Sequence, residues 1–173
     1  NEEGLLVPAL ASKWQVASDV KSWRFILREG VHFHDGSVMD ANAVVKSLTI
    51  AQQKHGALRK APIASIQALD NKTVEITLTK PYLLLGAILA NYSNAIMAPA
   101  AYGKDGEVLV MSGTGPYQLL QYAPPHKLVV EKFEGYWGKP ASIPYASYLT
   151  GHRAESRVMQ ARSGQADIVF GLD

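Results

Sequence analysis

The sequence contains no cysteine, which excludes disulfide bonds, thiolate zinc sites and cysteine nucleophiles. It also lacks a hydrophobic run long enough to cross a bilayer, because the longest, residues 82–90, is far shorter than the roughly 20 residues that a membrane helix needs. Charge of one sign is not in excess either: 17 basic residues against 15 acidic ones leave a net charge of +2. So small and evenly spread a surplus argues against nucleic acid as a partner.

Apolar side chains, by contrast, are plentiful. They make up 47% of the 173 residues and charged ones 18%, which is enough to bury the core of one domain or of two small lobes. The sequence opens on NEEG, without methionine. We therefore expect a piece of a longer chain, and the lack of a signal peptide carries no information.

Periodicity in the first half of the sequence predicts strands and one helix. Residues 23–27 alternate between large apolar and polar or smaller side chains, which is typical of a strand with one buried face. Asp40 is a good N-cap for a helix that carries an apolar stripe and ends near Gly56. Residues 62–68 and 72–79 are predicted to form two strands across a turn at residues 70–71.

The second half of the sequence is predicted to be built in the same mixed way. A buried helix is expected over residues 82–91 and another helix over residues 153–163, which ends at Gly164. Further strands are expected in four segments: residues 117–122, 127–133, 145–149 and 166–170. The fold class predicted from this order is mixed α/β (α+β), without a strict βαβ rhythm.

The most distinctive chemical pattern is the segment VHFHDG at residues 31–36. His32 and His34 lie two positions apart on a predicted strand, so their side chains share a face and could chelate a metal. Metallohydrolases place an acid two positions further on, where this sequence has Gly36. The structural interpretation, two surface histidines before an Asp-Gly turn, is therefore favoured. A metal-dependent hydrolase built on His32 and His34 is the alternative function.

Two further segments have a functional and a structural interpretation. Residues 112–116 (SGTGP) resemble a phosphate loop, but Pro116 opens a predicted strand rather than a helix, so a tight backbone corner is favoured. Phe133 and the following Tyr136 and Trp137 could stack on a ligand. Aromatic residues beside a turn are more often anchors of a core or of an interface, and that interpretation is favoured here.

Taken in order, several segments resemble the peptide- and nickel-binding proteins that feed ABC importers, the family 5 extracellular solute-binding proteins. The similar segments are VPALASKW (residues 7–14), WRFILREGVHFHDG (23–36), DA (40–41) followed by VVKSL (44–48), GTGPY (113–117), YWG (136–138) and SGQADI (163–168). The resemblance covers nearly the whole sequence in the right order and spacing. Each segment alone is weak, and the six together are strong.

This resemblance implies a binding protein that is not an enzyme, with two lobes that close on a solute. The fold it implies is a fragment of a two-lobed, type II-like periplasmic binding protein, with a mixed sheet flanked by helices. Residues 1–112 would form the smaller lobe and residues 113–173 a truncated return into the main lobe. It also implies a monomer with no cofactor, periplasmic or lipid-anchored outside the cytoplasm, that delivers its ligand to an ABC permease in the membrane.

The ligand implied is nickel, carried as a chelate, or a short peptide. The short connection over residues 46–62 is similar in length to the nickel-binding branch, which is slightly favoured. Members of that branch often have a Trp at the positions that correspond to residues 55–58, and an Arg shortly before the positions that correspond to Ala98 and Pro99. This sequence has neither. By position, His55, Tyr92 and Asn94 are expected to face the cleft as ligand-binding residues, with no metal site of the protein's own. A purely structural or interaction domain is a third possibility.

Overall fold

The computed structural model describes residues 3–54, 56–150 and 153–171, which form two antiparallel sheets with a few short helices. The strands are β1 (Ala11–Val16), β2 (Ser22–Leu27), β3 (Ile63–Ala68), β4 (Thr73–Leu78), β5 (Tyr117–Ala123), β6 (Lys127–Lys132) and β7 (Tyr145–Leu149). The α-helices are α1 (Ala41–Gln53), α2 (Leu85–Leu89) and α3 (Ala154–Arg162). Single turns of 3₁₀-helix lie at Ala57–Lys60, Tyr92–Asn94 and Pro99–Ala101. No helix among the described residues is both long and apolar enough to span a bilayer.

The first sheet has the strand order β1-β2-β4-β3 and carries the core on one face. Trp23 on β2 is paired with Ile76 on β4, and Ile76 is paired with Ile66 on β3. The α1 helix packs its apolar residues, among them Val44 and Leu48, into the same core. The alternation expected in β4 is confirmed because every second side chain of that strand is buried. In β2, Trp23 and Leu27 are buried and Arg24 is exposed, while Phe25 and Ile26 are both half-buried.

The N-terminus of α1 is fixed as predicted. The Asp40 carboxylate accepts a hydrogen bond of 2.8 Å from the Ala43 N–H, which satisfies one of the free amides of the first turn. The helix ends at Gln53, three residues before Gly56.

The second sheet, with strand order β5-β6-β7, lies entirely within residues 113–173, and the first sheet within residues 1–112. The described strand pairs of both sheets are antiparallel, which corrects the expected mixed sheet. The mixed α and β fold class itself is confirmed.

Three predicted elements differ from the structure. Residues 82–91 contain only the five-residue helix α2, and Leu83 and Leu84 before it are exposed, so the expected buried helix is largely wrong. Residues 166–170 form no strand, and Ile168 and Phe170 are exposed. Residues 31–36 form a turn closed by an isolated bridge between His32 and Val38 rather than a regular strand.

Val20, in the turn between β1 and β2, has a φ of 56°. A left-handed backbone costs an L-residue about 1–2 kcal/mol, and a β-branched side chain is poorly suited to it. We expect Val20→Gly to raise the free energy of unfolding by about 1 kcal/mol, because the relief of strain exceeds the loss of a half-buried side chain. Urea denaturation measures the change.

The matched control for that substitution is Val16→Gly, which removes the same side chain from the end of β1, where φ is not positive. Glycine weakens a strand by roughly 0.5–1 kcal/mol, so the control is expected to lower stability. A fall in stability for both variants would contradict the strain at Val20.

Candidate functional site

An apolar cavity of about 370 Å³ lies between the first sheet, α1, α2 and the N-terminal segment. Its aromatic lining comes from Trp14, Trp23, Phe25 and Tyr92, and apolar residues of the N-terminal segment, the first sheet, α1 and residues 86–96 form the rest of the wall. The lining residues that the structure describes include no charged side chain. The polar ones, apart from the two indoles, are grouped at residues 91–94, so this short segment supplies the specific contacts that the cavity can offer.

Residues 91–94 are held by a local network of hydrogen bonds. The Asn91 side chain caps the 3₁₀ turn by accepting hydrogen bonds from the Ser93 N–H (3.0 Å) and from the Ser93 hydroxyl (2.7 Å). The Ser93 oxygen in turn accepts a hydrogen bond of 3.0 Å from the Ala57 N–H. The segment is thereby tied to the 3₁₀ turn that follows α1, which fixes its backbone beside the cavity.

The two described residues that were predicted to contact ligand both line this cavity. Tyr92 is 91% exposed, so its ring is available to a solute. Asn94 is only 4% exposed, and its Nδ2 donates a hydrogen bond of 2.6 Å to the Ile88 carbonyl. The third predicted residue, His55, lies outside the described residues.

Two buried polar atoms of cavity-lining residues have no partner in the described part of the chain: Trp23 Nε1, a donor, and Asn94 Oδ1, an acceptor. A buried polar group without a partner costs roughly 1–3 kcal/mol, so each of these two atoms lowers the stability of the fold. The lining of the cavity is therefore mainly apolar, and the two unpartnered polar atoms of its lining residues are buried.

Ser47 is a buried residue of α1 that sequence reasoning missed. Its hydroxyl lies 3.3 Å from the Ala95 carbonyl and 2.8 Å from the Tyr102 hydroxyl, and it accepts a hydrogen bond of 3.2 Å from the Met97 N–H. It thus holds residues 95–97, of which Ala95 and Ile96 line the cavity, against the helix. A serine within the apolar stripe of α1, three residues after Val44, was the signal that could have identified it.

The structure places His32 and His34 in different environments. His34 is half-buried and both of its ring nitrogens contact the backbone, at Gly113 and Gly115. His32 Nδ1 lies 3.2 Å from the Gly30 carbonyl oxygen. Within the part of the chain that the structure covers, no three His, Asp or Glu side chains are grouped to hold a metal ion. The hydrolase alternative therefore has no geometric support.

Asp35, the acid next to this pair, is occupied by its own turn. The Ser37 hydroxyl donates a hydrogen bond of 2.6 Å to the Asp35 carboxylate, and this bond lowers the pKa of Asp35 below its usual value, with further help from the Ser37 N–H. The charged carboxylate serves as a turn cap here rather than as a general base.

Residues 112–116 form a backbone corner, as expected, and not a phosphate loop. The corner leads into β5 and is fixed by the Asp35 N–H, which donates to Ser112 Oγ at 3.2 Å. Trp137 is partly buried against the core of the first sheet, and its Nε1 donates a hydrogen bond of 3.1 Å to the Thr114 carbonyl. The interpretation of the aromatic cluster as an anchor is therefore supported at Trp137.

Comparison with known proteins identifies the family. The model of the bacterial extracellular solute-binding proteins, family 5 Middle, matches residues 6–173. The chain belongs to this family. It is a family of solute-binding proteins and not of enzymes, as the resemblance implied.

Individual family 5 proteins support the assignment over most of the chain. The glutathione-binding protein GsiB of Escherichia coli O1:K1 is 31% identical over 181 residues, which cover 99% of this chain and 35% of GsiB. The crystal structure of NikA from Brucella suis in complex with Fe(III)-EDTA has a TM-score of 0.88 at 26% identity, over 96% of this chain and 35% of NikA. The crystal structure of the nickel ABC transporter from Bacillus halodurans has a TM-score of 0.81 at 32% identity, over 92% of this chain and 33% of that chain. The chain thus spans about a third of the length of these relatives.

Proposed function

We propose that this chain is part of the substrate-binding component of an ABC importer, which captures a solute outside the cytoplasm and delivers it to a membrane permease. The observation that carries the proposal is the family 5 match over residues 6–173. Relatives named for glutathione and for nickel support a small solute of this kind. Within the proposal, residues 1–112 are the smaller lobe, residues 113–173 enter the main lobe, and the protein is a periplasmic or lipid-anchored monomer.

The solute proposed is a nickel chelate or a short peptide, and the nickel chelate is favoured slightly. Both carry carboxylates, which proteins pair preferentially with Arg. No charged residue lines the cavity in the described part of the chain, so on this proposal the cavity receives the apolar part of the solute. The charge would be met by His55 or by the opposite lobe.

Native mass spectrometry of the protein isolated gently from its own cell envelope tests the proposal directly. A bound mass with the nickel isotope pattern supports the chelate, and a series of masses that match short peptides supports the peptide. Isolation of the protein with no bound solute, together with no response to a Ni(II)–histidine chelate or to a tripeptide in titration, would favour a structural or interaction domain.

Tyr92 is the most exposed of the proposed contacts, and its substitution tests the site. We expect Tyr92→Ala to weaken the binding of whichever probe binds, Ni(II)–histidine or a tripeptide, by about tenfold, which is typical of an aromatic contact that becomes buried by ligand. The fluorescence of Trp14 and Trp23, which line the same cavity, provides the titration signal.

The matched control for Tyr92 is Tyr148→Ala, which removes an exposed tyrosine from β7 in the second sheet. It is expected to leave the affinity unchanged. Equal affinities for the two variants would remove Tyr92 from the site without affecting the assignment to the family.

A further inference from the structure

His34 makes three contacts with the backbone of one short segment, residues 113–115. The His34 N–H donates a hydrogen bond of 2.9 Å to the Gly113 carbonyl. The Gly113 N–H donates one of 3.2 Å back to the Nδ1 atom of the His34 ring. The Nε2 atom of the same ring lies 3.0 Å from the Gly115 carbonyl. The partners are about 80 positions apart in the sequence, so a single side chain links distant parts of the chain.

The partners fix the protonation state of the ring. An N–H group can donate only to an unprotonated nitrogen, so Nδ1 carries no proton. A carbonyl oxygen can only accept, so Nε2 carries one. The arrangement is satisfied by the neutral Nε2–H tautomer and by neither the Nδ1–H tautomer nor the imidazolium ion, because each of those would place a donor against the Gly113 N–H.

Two aromatic residues that follow β6, Phe133 and Trp137, make further contacts with His34 and with this segment. The ring of Phe133, directly after β6, meets the His34 ring edge-on, with centroids 4.9 Å apart. Trp137, which donates to Thr114, has the Arg28 guanidinium 4.6 Å above its ring. Arg28 directly follows β2, so this second path also joins the two sheets.

We infer that His34 is a positioning residue: as the neutral Nε2–H tautomer, it locks residues 113–115 and thereby fixes the second sheet against the first. The glycine-rich connection is then an anchored corner and not a free hinge, although its composition of two glycines in three residues is typical of a flexible linker. His32 is the natural comparison, because its contact, with Gly30, is local.

The first test needs no variant. Two-bond ¹⁵N–¹H correlation spectra of the uniformly labelled chain at neutral pH distinguish the two neutral tautomers and the imidazolium of each histidine. We expect the His34 pattern to be that of the Nε2–H tautomer. An Nδ1–H tautomer or an imidazolium pattern at His34 would overturn the inference, since neither can accept from Gly113.

The second test compares His34→Ala with His32→Ala by amide hydrogen exchange. We expect the Gly113 amide and the Trp137 indole N–H to exchange about tenfold faster in His34→Ala, the effect of one lost hydrogen bond, and to be unchanged in His32→Ala. Equal protection in the two variants would contradict the lock.

His34→Gln separates the lock from a general loss of packing, because its amide offers one acceptor and one donor in place of the ring nitrogens. It is expected to restore part of the protection of the Gly113 amide. If His34→Ala does not fold, His34→Gln alone provides the test. The lock is then supported if the Gly113 amide in His34→Gln is protected nearly as well as in the unsubstituted chain. Complete loss of its protection in a folded His34→Gln variant argues against it.

Discussion

Phe33→Ala is expected to lower the free energy of unfolding by about 3–5 kcal/mol, the range for a fully buried aromatic side chain. Phe33 has 0% of its surface exposed and belongs to the core of the first sheet. Its backbone is also fixed, because the Phe33 N–H donates to the Ser37 carbonyl and its carbonyl accepts from the Gly36 N–H. The tight turn leaves the surroundings little freedom to collapse into the space left by the ring.

Urea or thermal denaturation of the two proteins measures this loss, and Phe170→Ala is the matched control. Phe170 is 80% exposed, so the same substitution there is expected to change stability by less than about 0.5 kcal/mol. A similar small effect at Phe33 would mean that residues 31–37 do not pack as described.

The position of Phe33 explains why the motif VHFHDG left a metal site open as an alternative to the favoured structural interpretation. Side chains alternate along an extended segment, so burial of Phe33 turns His32 and His34 to the other side, as predicted. The backbone partners of His34, at Gly113 and Gly115, depend on how distant segments pack. Periodicity cannot reveal such a partner, so the sequence could not exclude the metal-site alternative.

Elements that are stabilised by local interactions were predicted well. The cap at Asp40 and the alternation in β4 depend on residues that are close in sequence, and both are confirmed. Residues 82–91 and 166–170 were predicted from apolar content alone. Apolar residues form a buried helix or a strand only where a neighbouring element covers them, and among the described residues Leu83, Leu84 and Phe170 have no such cover.

The cavity could be predicted only in part. The family resemblance directed attention to Tyr92 and Asn94, which do line one cavity. Trp23 and Phe25 were predicted only as strand residues and Trp14 only as part of a segment similar to the family, because their convergence with α2 and the N-terminal segment is a property of the tertiary structure.

Ser47→Ala is expected to lower the free energy of unfolding by about 1–3 kcal/mol, although it removes a single oxygen atom. The Met97 N–H and the Tyr102 hydroxyl would each lose a hydrogen bond to that oxygen. The cost exceeds that of an exposed serine because water cannot easily replace a partner beside the 1% exposed Ser47 side chain. Denaturation curves measure the change, with Ser12→Ala as the control, since the Ser12 hydroxyl makes one exposed bond, to the Ile26 carbonyl.

The position of Ser47 beside the cavity matters as much as the free energy lost in Ser47→Ala. Residues 95–97 continue from the polar segment that contains Tyr92, so release of their anchor on α1 would loosen one wall of the cavity. Tyr102→Phe removes one of the three contacts of Ser47 and is expected to cost less than Ser47→Ala. If Ser47→Ala lowers stability but leaves hydrogen exchange at the Met97 amide unchanged, the serine stabilises the helix alone. Faster exchange there would mean that Ser47 also holds residues 95–97 against α1.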